Sequence, residues 1–355
     1  SGTVTINGGT LTSTNLRVGN LGAGTFVQNA GTVTVTGSEF LIANNSSSNS
    51  TLNLQGGTMN ASNAVIRIGS TNTGTGSLGL FSGGTLNAAG VVVASGSTFT
   101  DLGGGINITG GITNNGNWVF SPGTALTRSY SIVGSGSLTK NGAGALTLAA
   151  TNGYTGDTIL NVGNIALGIA NAISTNSVFR FGTVSGGRRL QLQGFNQTVA
   201  GVDSTGASGT LIIEAANDNV SNAAATLTLN VAAGTNYTFS GLVRDAQGTA
   251  VNSALSLVKN GAGTQVLSGA SGDVNYSGAT TINAGVLEFS GSNSVANNSA
   301  ITLGGGTVRF SGGGTRSNTI TGSGDLEKTG ANPLTLSGNN TYNGTTVLNA
   351  GTLRV

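Results

Sequence analysis

The 355 residues contain no cysteine and no histidine. Without cysteine there can be no disulfide staples and no thiolate metal sites. Without either residue, Ser-His-Asp catalysis, Cys-His catalysis and imidazole metal ligation are impossible within the chain. Charge is also scarce. Only 7% of residues are charged, 13 Lys and Arg against 11 Asp and Glu, for a net +2. The pI of about 9.2 rests on that small excess and not on a basic stripe, so nucleic acid is not an expected partner. Proline occurs twice and aromatic residues make up 5%. No apolar run reaches the ~18 residues of a membrane-spanning helix. No secretory leader opens the sequence at Ser1, so an exported protein would have lost it or carry it elsewhere.

What fills the chain is glycine, 62 residues, with Thr, Ser and Asn, and an apolar fraction of 37% rich in Val, Ile and Leu. There is no G-X-Y period, which excludes collagen. The branched apolar residues suffice for a buried core, unlike a disordered tract. Such a mixture suits many short strands joined by tight turns.

Two repeats organise the chain. In residues 1 to about 100, Val18, Ile42, Ile68 and Val93 head equivalent segments, stepping by 24, 26 and 25. Further strand signals accompany them at Phe26, Leu52 and Leu78, and at Val33, Met59 and Leu86. Each unit of about 25 residues therefore holds three short alternating strands, each with one face to bury. One unit cannot cover its own face, but units stacked in parallel register can. Three strands per unit is the pattern of a parallel β-helix. Thr and Asn at equivalent positions are expected to form ladders along the stack. Trp118 reads as core, Ser121-Pro122-Gly123 as a turn, and Arg188-Arg189 beside Gly186-Gly187 as a solvated turn. No helix is predicted; Ile169–Ile173 is the most one could claim.

The second repeat is sharper. Gly136-Ser137-Leu138-Thr139-Lys140-Asn141-Gly142 leads to Leu146 and Leu148, Tyr154-Thr155-Gly156 and Val162-Gly163. Leu257-Val258-Lys259-Asn260-Gly261 leads to Val266-Leu267, Tyr276-Ser277-Gly278 and Ala284-Gly285. Gly324-Asp325-Leu326-Glu327-Lys328-Thr329-Gly330 leads to Leu334 and Leu336, Tyr342-Asn343-Gly344 and Ala350-Gly351. Tyr to Gly is 9 residues in every copy, and Lys to Tyr is 14, 17 and 14, so the middle copy carries a three-residue insert. The leucines are expected to point inward and the lysines to lie outside or on a turn, where Lys discourages edge pairing. The tyrosine ring is expected to cover a turn with its hydroxyl near water.

The pattern G-x-L-x-K-x-G, L-x-L, Y-x-G, A-G-x-L resembles the autotransporter-associated β-strand repeat, also called the passenger-associated transport repeat. The resemblance implies an all-β fold: a single-stranded right-handed parallel β-helix, or solenoid, with about three short strands per coil. Roughly fourteen coils would stack to a length on the order of 65 to 70 Å at the strand spacing. Residues 1–133 are expected as a β-helix with coils of about 25 residues. Residues 134–355 would carry the three repeats, at about 134–168, 255–289 and 322–355, in one continuous solenoid. The family implies type V secretion, an extracellular or cell-surface location on a Gram-negative-type bacterium, and a β-barrel translocator in the outer membrane as partner. The implied role is a non-enzymatic stalk whose repeats aid export and folding. An adhesin binding a glycan or surface protein, and a filament subunit associating end to end or side by side, stay open as alternatives. The last strand, Ala350 to Val355, is expected to present an open coil on which more chain or another molecule stacks.

β-Helices also host carbohydrate-active enzymes, so the eleven carboxylates matter. Only Asp325 with Glu327, and Glu214 with Asp218, are close in sequence. The glycine strings Gly103-Gly104-Gly105 and Gly304-Gly305-Gly306 lack the aspartate of a calcium-binding repeat. Gly22-Ala23-Gly24 and Gly142-Ala143-Gly144 lack the helix that would receive a phosphate. No catalytic, cofactor or metal site is expected, and no cofactor.

Overall fold

The computed structural model of the chain describes residues 1–45, 48–70, 74–216, 223–246, 252–270, 273–291 and 299–355. Among these there is no helix, and Ile169–Ile173 lies in turn and irregular backbone. Parallel strands stack as a β-solenoid of about 15 turns among the described residues. The chain forms two compact units, Ser1–Ile159 and Leu160–Val355.

In the first unit each coil has three faces. Gly2–Ile6, Thr10–Ser13 and Leu16–Val18 form the first coil, and Gly24–Gln28, Thr32–Val35 and Glu39–Ile42 the second. In the next two coils the strands run on around the corners as Asn49–Ile68 and Thr75–Val93. The register places Val18 on Ile42, Ile68 and Val93 in succession, as the sequence period predicts. A core row runs through Phe26, Leu52, Leu78, Phe99, Trp118 and Leu138, each paired with the next. All six are at most 3% exposed, and their steps of 26, 26, 21, 19 and 20 residues measure the coils. Trp118 stacks on Phe99 with ring centroids 4.0 Å apart and an 8° interplanar angle, so its place is the core.

The second unit is built the same way from shorter strands. One ladder runs from Gln197–Val199 through Ala225–Asn230, Leu255–Asn260, Thr280–Ile282 and Ile301–Leu303 to Ile320–Gly322. Another runs from Asn236–Phe239 through Thr264–Leu267, Val286–Phe289, Thr307–Phe310 and Leu326–Lys328 to Thr346–Leu348. In nine of the twelve strands of these ladders alternate residues are buried, so the period of two sets which side chains enter the coil. The outward asparagines form ladders, as expected. Asn60, Asn87 and Asn107 lie in register, and each amide donates to the one before at 2.6 and 2.8 Å.

Candidate functional site

The three sharp repeats share one geometry. Their leucines point inward as expected: Leu138, Leu257 and Leu326 are at most 1% exposed. The lysines do not lie outside. Lys140, Lys259 and Lys328 are fully buried. Each sits two residues after its leucine in the same strand, Ser137–Lys140, Leu255–Asn260 or Leu326–Lys328, and residues i and i+2 of a strand share a face. The ammonium reaches the following turn from within. Lys140 Nζ donates to the Gly142 carbonyl, and Lys328 Nζ to the Gly330 carbonyl. Lys259 Nζ donates to the carbonyls of Asn260, Gly261 and Ala284 at 2.7, 2.8 and 3.2 Å. The lysine thus satisfies turn carbonyls that the coil interior shields from water.

The tyrosines depart from expectation in the same direction. Tyr154 and Tyr276 are buried, Tyr342 half-buried. Each hydroxyl bonds the threonine four residues on: Tyr154 to Thr158 at 2.7 Å, Tyr276 to Thr280 at 2.7 Å and Tyr342 to Thr346 at 2.6 Å. The motif is therefore Y-x-G-x-T, and its threonine was legible in all three copies. The glycines have separate causes. A Cβ on Gly156, Gly278 or Gly344 would press on a carbonyl oxygen of the preceding coil, at Gly136, Leu255 or Gly324. Gly163, Gly285 and Gly351 have φ of 74°, 64° and 77°, the left-handed region that glycine adopts without steric cost.

The middle copy differs at the L-x-L segment. Counting six residues from the lysine gives Leu146, Gln265 and Leu334, so in the copy read as leading to Val266-Leu267 the inward residues are Gln265 and Leu267. Gln265 is fully buried. Its amide pairs with one residue of an earlier coil as a strand would: Nε2 donates to the Val202 carbonyl at 2.8 Å, and Oε1 accepts from the Val202 N–H at 3.0 Å. The insert of this copy falls around residues 269–273, in part outside the described residues.

Burial also shifts protonation. It lowers Lys140 and Lys259 to about 8 and lowers Lys328 as well, while it pushes Tyr276 up to about 12. Below about pH 8 Lys140 and Lys259 are charged in both folded and unfolded chains and contribute no slope. Between about 8 and the ordinary 10.5 the unfolded chain holds protons that the fold has released, so stability rises with pH. Above 10 the unfolded chain loses a phenol proton that folded Tyr276 keeps, so stability falls. The denaturation midpoint is expected to rise from pH 8 to a maximum near 10 and then fall. A midpoint that declines steadily from pH 8 would contradict this.

Among the described residues the carboxylates are mostly held by arginines, and Glu288 and Glu327 share Arg309. Asp101 and Glu214 are buried in separate units. Asp101 accepts from Arg128, and Glu214 from Arg244 and Gln191. Asp325 accepts the Thr345 N–H at 2.7 Å, whereas Glu327 pairs with Arg309 at 2.5 Å. Asp218 lies outside the described residues. Among the described residues no three His, Cys, Asp or Glu are grouped to hold a metal. Arg188 and Arg189 form no solvated turn. They open the strand Arg188–Gln191, where Arg188 is buried and donates to the Gly182 and Ser208 carbonyls, and Arg189 pairs with Glu214 at 3.4 Å.

The family profile of the passenger-associated transport repeat matches residues 138–167, 257–289 and 326–355, the segments that carry the buried lysine and tyrosine. Over 167 residues, 46% of this chain, the sequence is 36% identical to the adhesin BmaC autotransporter of Brucella suis biovar 1 (strain 1330). The aligned part spans 4% of that relative's length. No solved structure matches. Three passenger-associated transport repeats on a parallel β-solenoid, with nearly half of the chain similar to part of an autotransporter adhesin, support an extracellular passenger segment at a Gram-negative cell surface.

Proposed function

We propose that the chain is a non-enzymatic stalk of a surface-exposed passenger and that its transport repeats aid export and folding. The observation that carries this reading is the set of short-range polar bonds that each repeat coil makes within itself. Its polar bonds include short-range ones in every copy, from Lys140 to Gly142, Lys259 to Gly261, Lys328 to Gly330 and each tyrosine to the threonine four residues on, and in the middle copy Lys259 and Thr280 also reach Ala284 and Ser299 of the neighbouring coil. Elsewhere the buried side-chain bonds typically reach about one coil away, as from Gln197 to Ile173. A coil that makes part of its polar bonds locally can begin to close before the next one arrives, which suits a solenoid growing coil by coil. The absence of cysteine suits a chain threaded unfolded through a pore, which in the full-length protein would be an outer-membrane β-barrel.

The test exchanges residues 326–355 for an ordinary coil in the full-length protein and follows surface display by protease accessibility on intact cells. Display is expected to fall several-fold, with precursor retained in the periplasm. Unchanged display would refute the role in export. A second reading, direct adhesion, is favoured by the alignment to a protein named an adhesin. Saturable binding of the purified chain to host cells or immobilised glycans would favour adhesion over a plain stalk.

A further inference from the structure

Several charged residues of the second unit pair across neighbouring coils. Arg180 lies in register with Asp203 and donates to it. Gln191, Glu214 and Arg244 lie in register on three successive strands. Glu214 accepts Gln191 Nε2 at 2.9 Å on one side and Arg244 Nε and Nη2 at 3.0 and 2.7 Å on the other. Glu288, Arg309 and Glu327 form a second ladder in register. Arg309 Nη1 donates to Glu288 at 3.3 Å, and its Nε to Glu327 at 2.5 Å.

The apolar pattern does not specify these pairings. Thr264–Leu267, Val286–Phe289 and Thr307–Phe310 all read outward, inward, outward, inward. A two-residue slip of any of them keeps the same residues inside. Omitting one coil also keeps them inside, because each neighbour presents the same alternation. What changes under either error is the charge row. A two-residue slip carries Arg309 away from both glutamates. Omitting its coil stacks Glu288 on Glu327, and like charges directly opposite repel.

We infer that these inter-coil ion ladders act as register keys, selecting the correct neighbour for each coil in a chain whose apolar pattern accepts several. Polar groups held in a partly buried position are best attested in this selecting role. The inference does not rest on the export reading, since it concerns the isolated chain refolding.

The native chain lacks cysteine, so one introduced pair reports register. Val286 and Thr307 are in-register outward positions in the two coils that carry Glu288 and Arg309. In a Val286→Cys/Thr307→Cys background, the full chain is refolded from denaturant under oxidising conditions and the intramolecular disulfide is quantified. The parent should crosslink almost fully. Arg309→Glu should lower the yield at least threefold. Exchanging the signs throughout, with Glu288→Arg, Arg309→Glu and Glu327→Arg together, should restore it to near the parent. An Arg309→Glu yield equal to the parent would overturn the inference. So would a sign-exchanged variant no better than Arg309→Glu, because the loss would then come from misfolding unrelated to pairing.

Discussion

Replacing Arg128 with methionine is expected to cost about 3–5 kcal/mol of folding stability, the usual loss when one partner of a buried pair is removed. Its partner Asp101 is fully buried in the strand Thr98–Leu102. The carboxylate accepts Arg128 Nε and Nη2 at 2.7 Å each, the Tyr130 hydroxyl at 3.1 Å and the Gly103 N–H at 3.0 Å. Methionine keeps much of the bulk but leaves a carboxylate in the coil without its counter-charge. The double variant Asp101→Leu/Arg128→Met is expected to regain most of the loss, because an apolar pair of similar volume often serves as well as a buried ion pair. Arg17→Met breaks a pair whose side chains are 45% and 30% exposed, so it is expected to cost under about 1 kcal/mol. Urea midpoints for the three variants decide the matter. An Arg128 loss no larger than that of Arg17 would show that burial does not set the strength of this pair.

Gln265→Leu installs the residue that the other two repeats carry, Leu146 and Leu334, and is nonetheless expected to destabilise. The leucine would leave the Val202 N–H and carbonyl without partners inside the coil. A stranded buried polar group costs about 1–3 kcal/mol, so the expected loss is about 2–4 kcal/mol. Gln197→Leu is expected to follow, because Gln197 clasps Ile173 in the same way, accepting from its N–H at 3.0 Å and donating to its carbonyl at 2.9 Å. Denaturant unfolding of Gln265→Leu checks the point. A variant as stable as the parent would mean that the Val202 groups find other partners.

The repeats hold the places where the sequence was misread, and for related reasons. Lys140, Lys259 and Lys328 follow inward leucines by two residues, so strand alternation alone pointed them into the coil. Their charge argued the other way, because an isolated ammonium is costly to bury. The turn carbonyls that offset this cost come from backbone whose direction the sequence does not announce. The tyrosine clasp was half legible: the threonine stands at the same offset in every copy, but only the fold shows the hydroxyl meeting it. Gln265 was passed over because the apolar pair Val266-Leu267 marked the strand, whereas the inward face takes Gln265 and Leu267.

The ion ladders were not legible at all. Glu288, Arg309 and Glu327 are separated by 21 and 18 residues, and Gln191, Glu214 and Arg244 by 23 and 30. With coils of unequal length, no fixed period brings such residues together. The sequence by itself determined the class of the fold, the three-strand coil of the first hundred residues, the inward leucines and the three transport repeats. Each of these is local or periodic, and so is written in neighbouring residues. Only the tertiary structure decided which polar groups entered the coil and which charge met which. Those outcomes depend on the lengths of turns between strands, where one residue more or less changes which side chain lies opposite another.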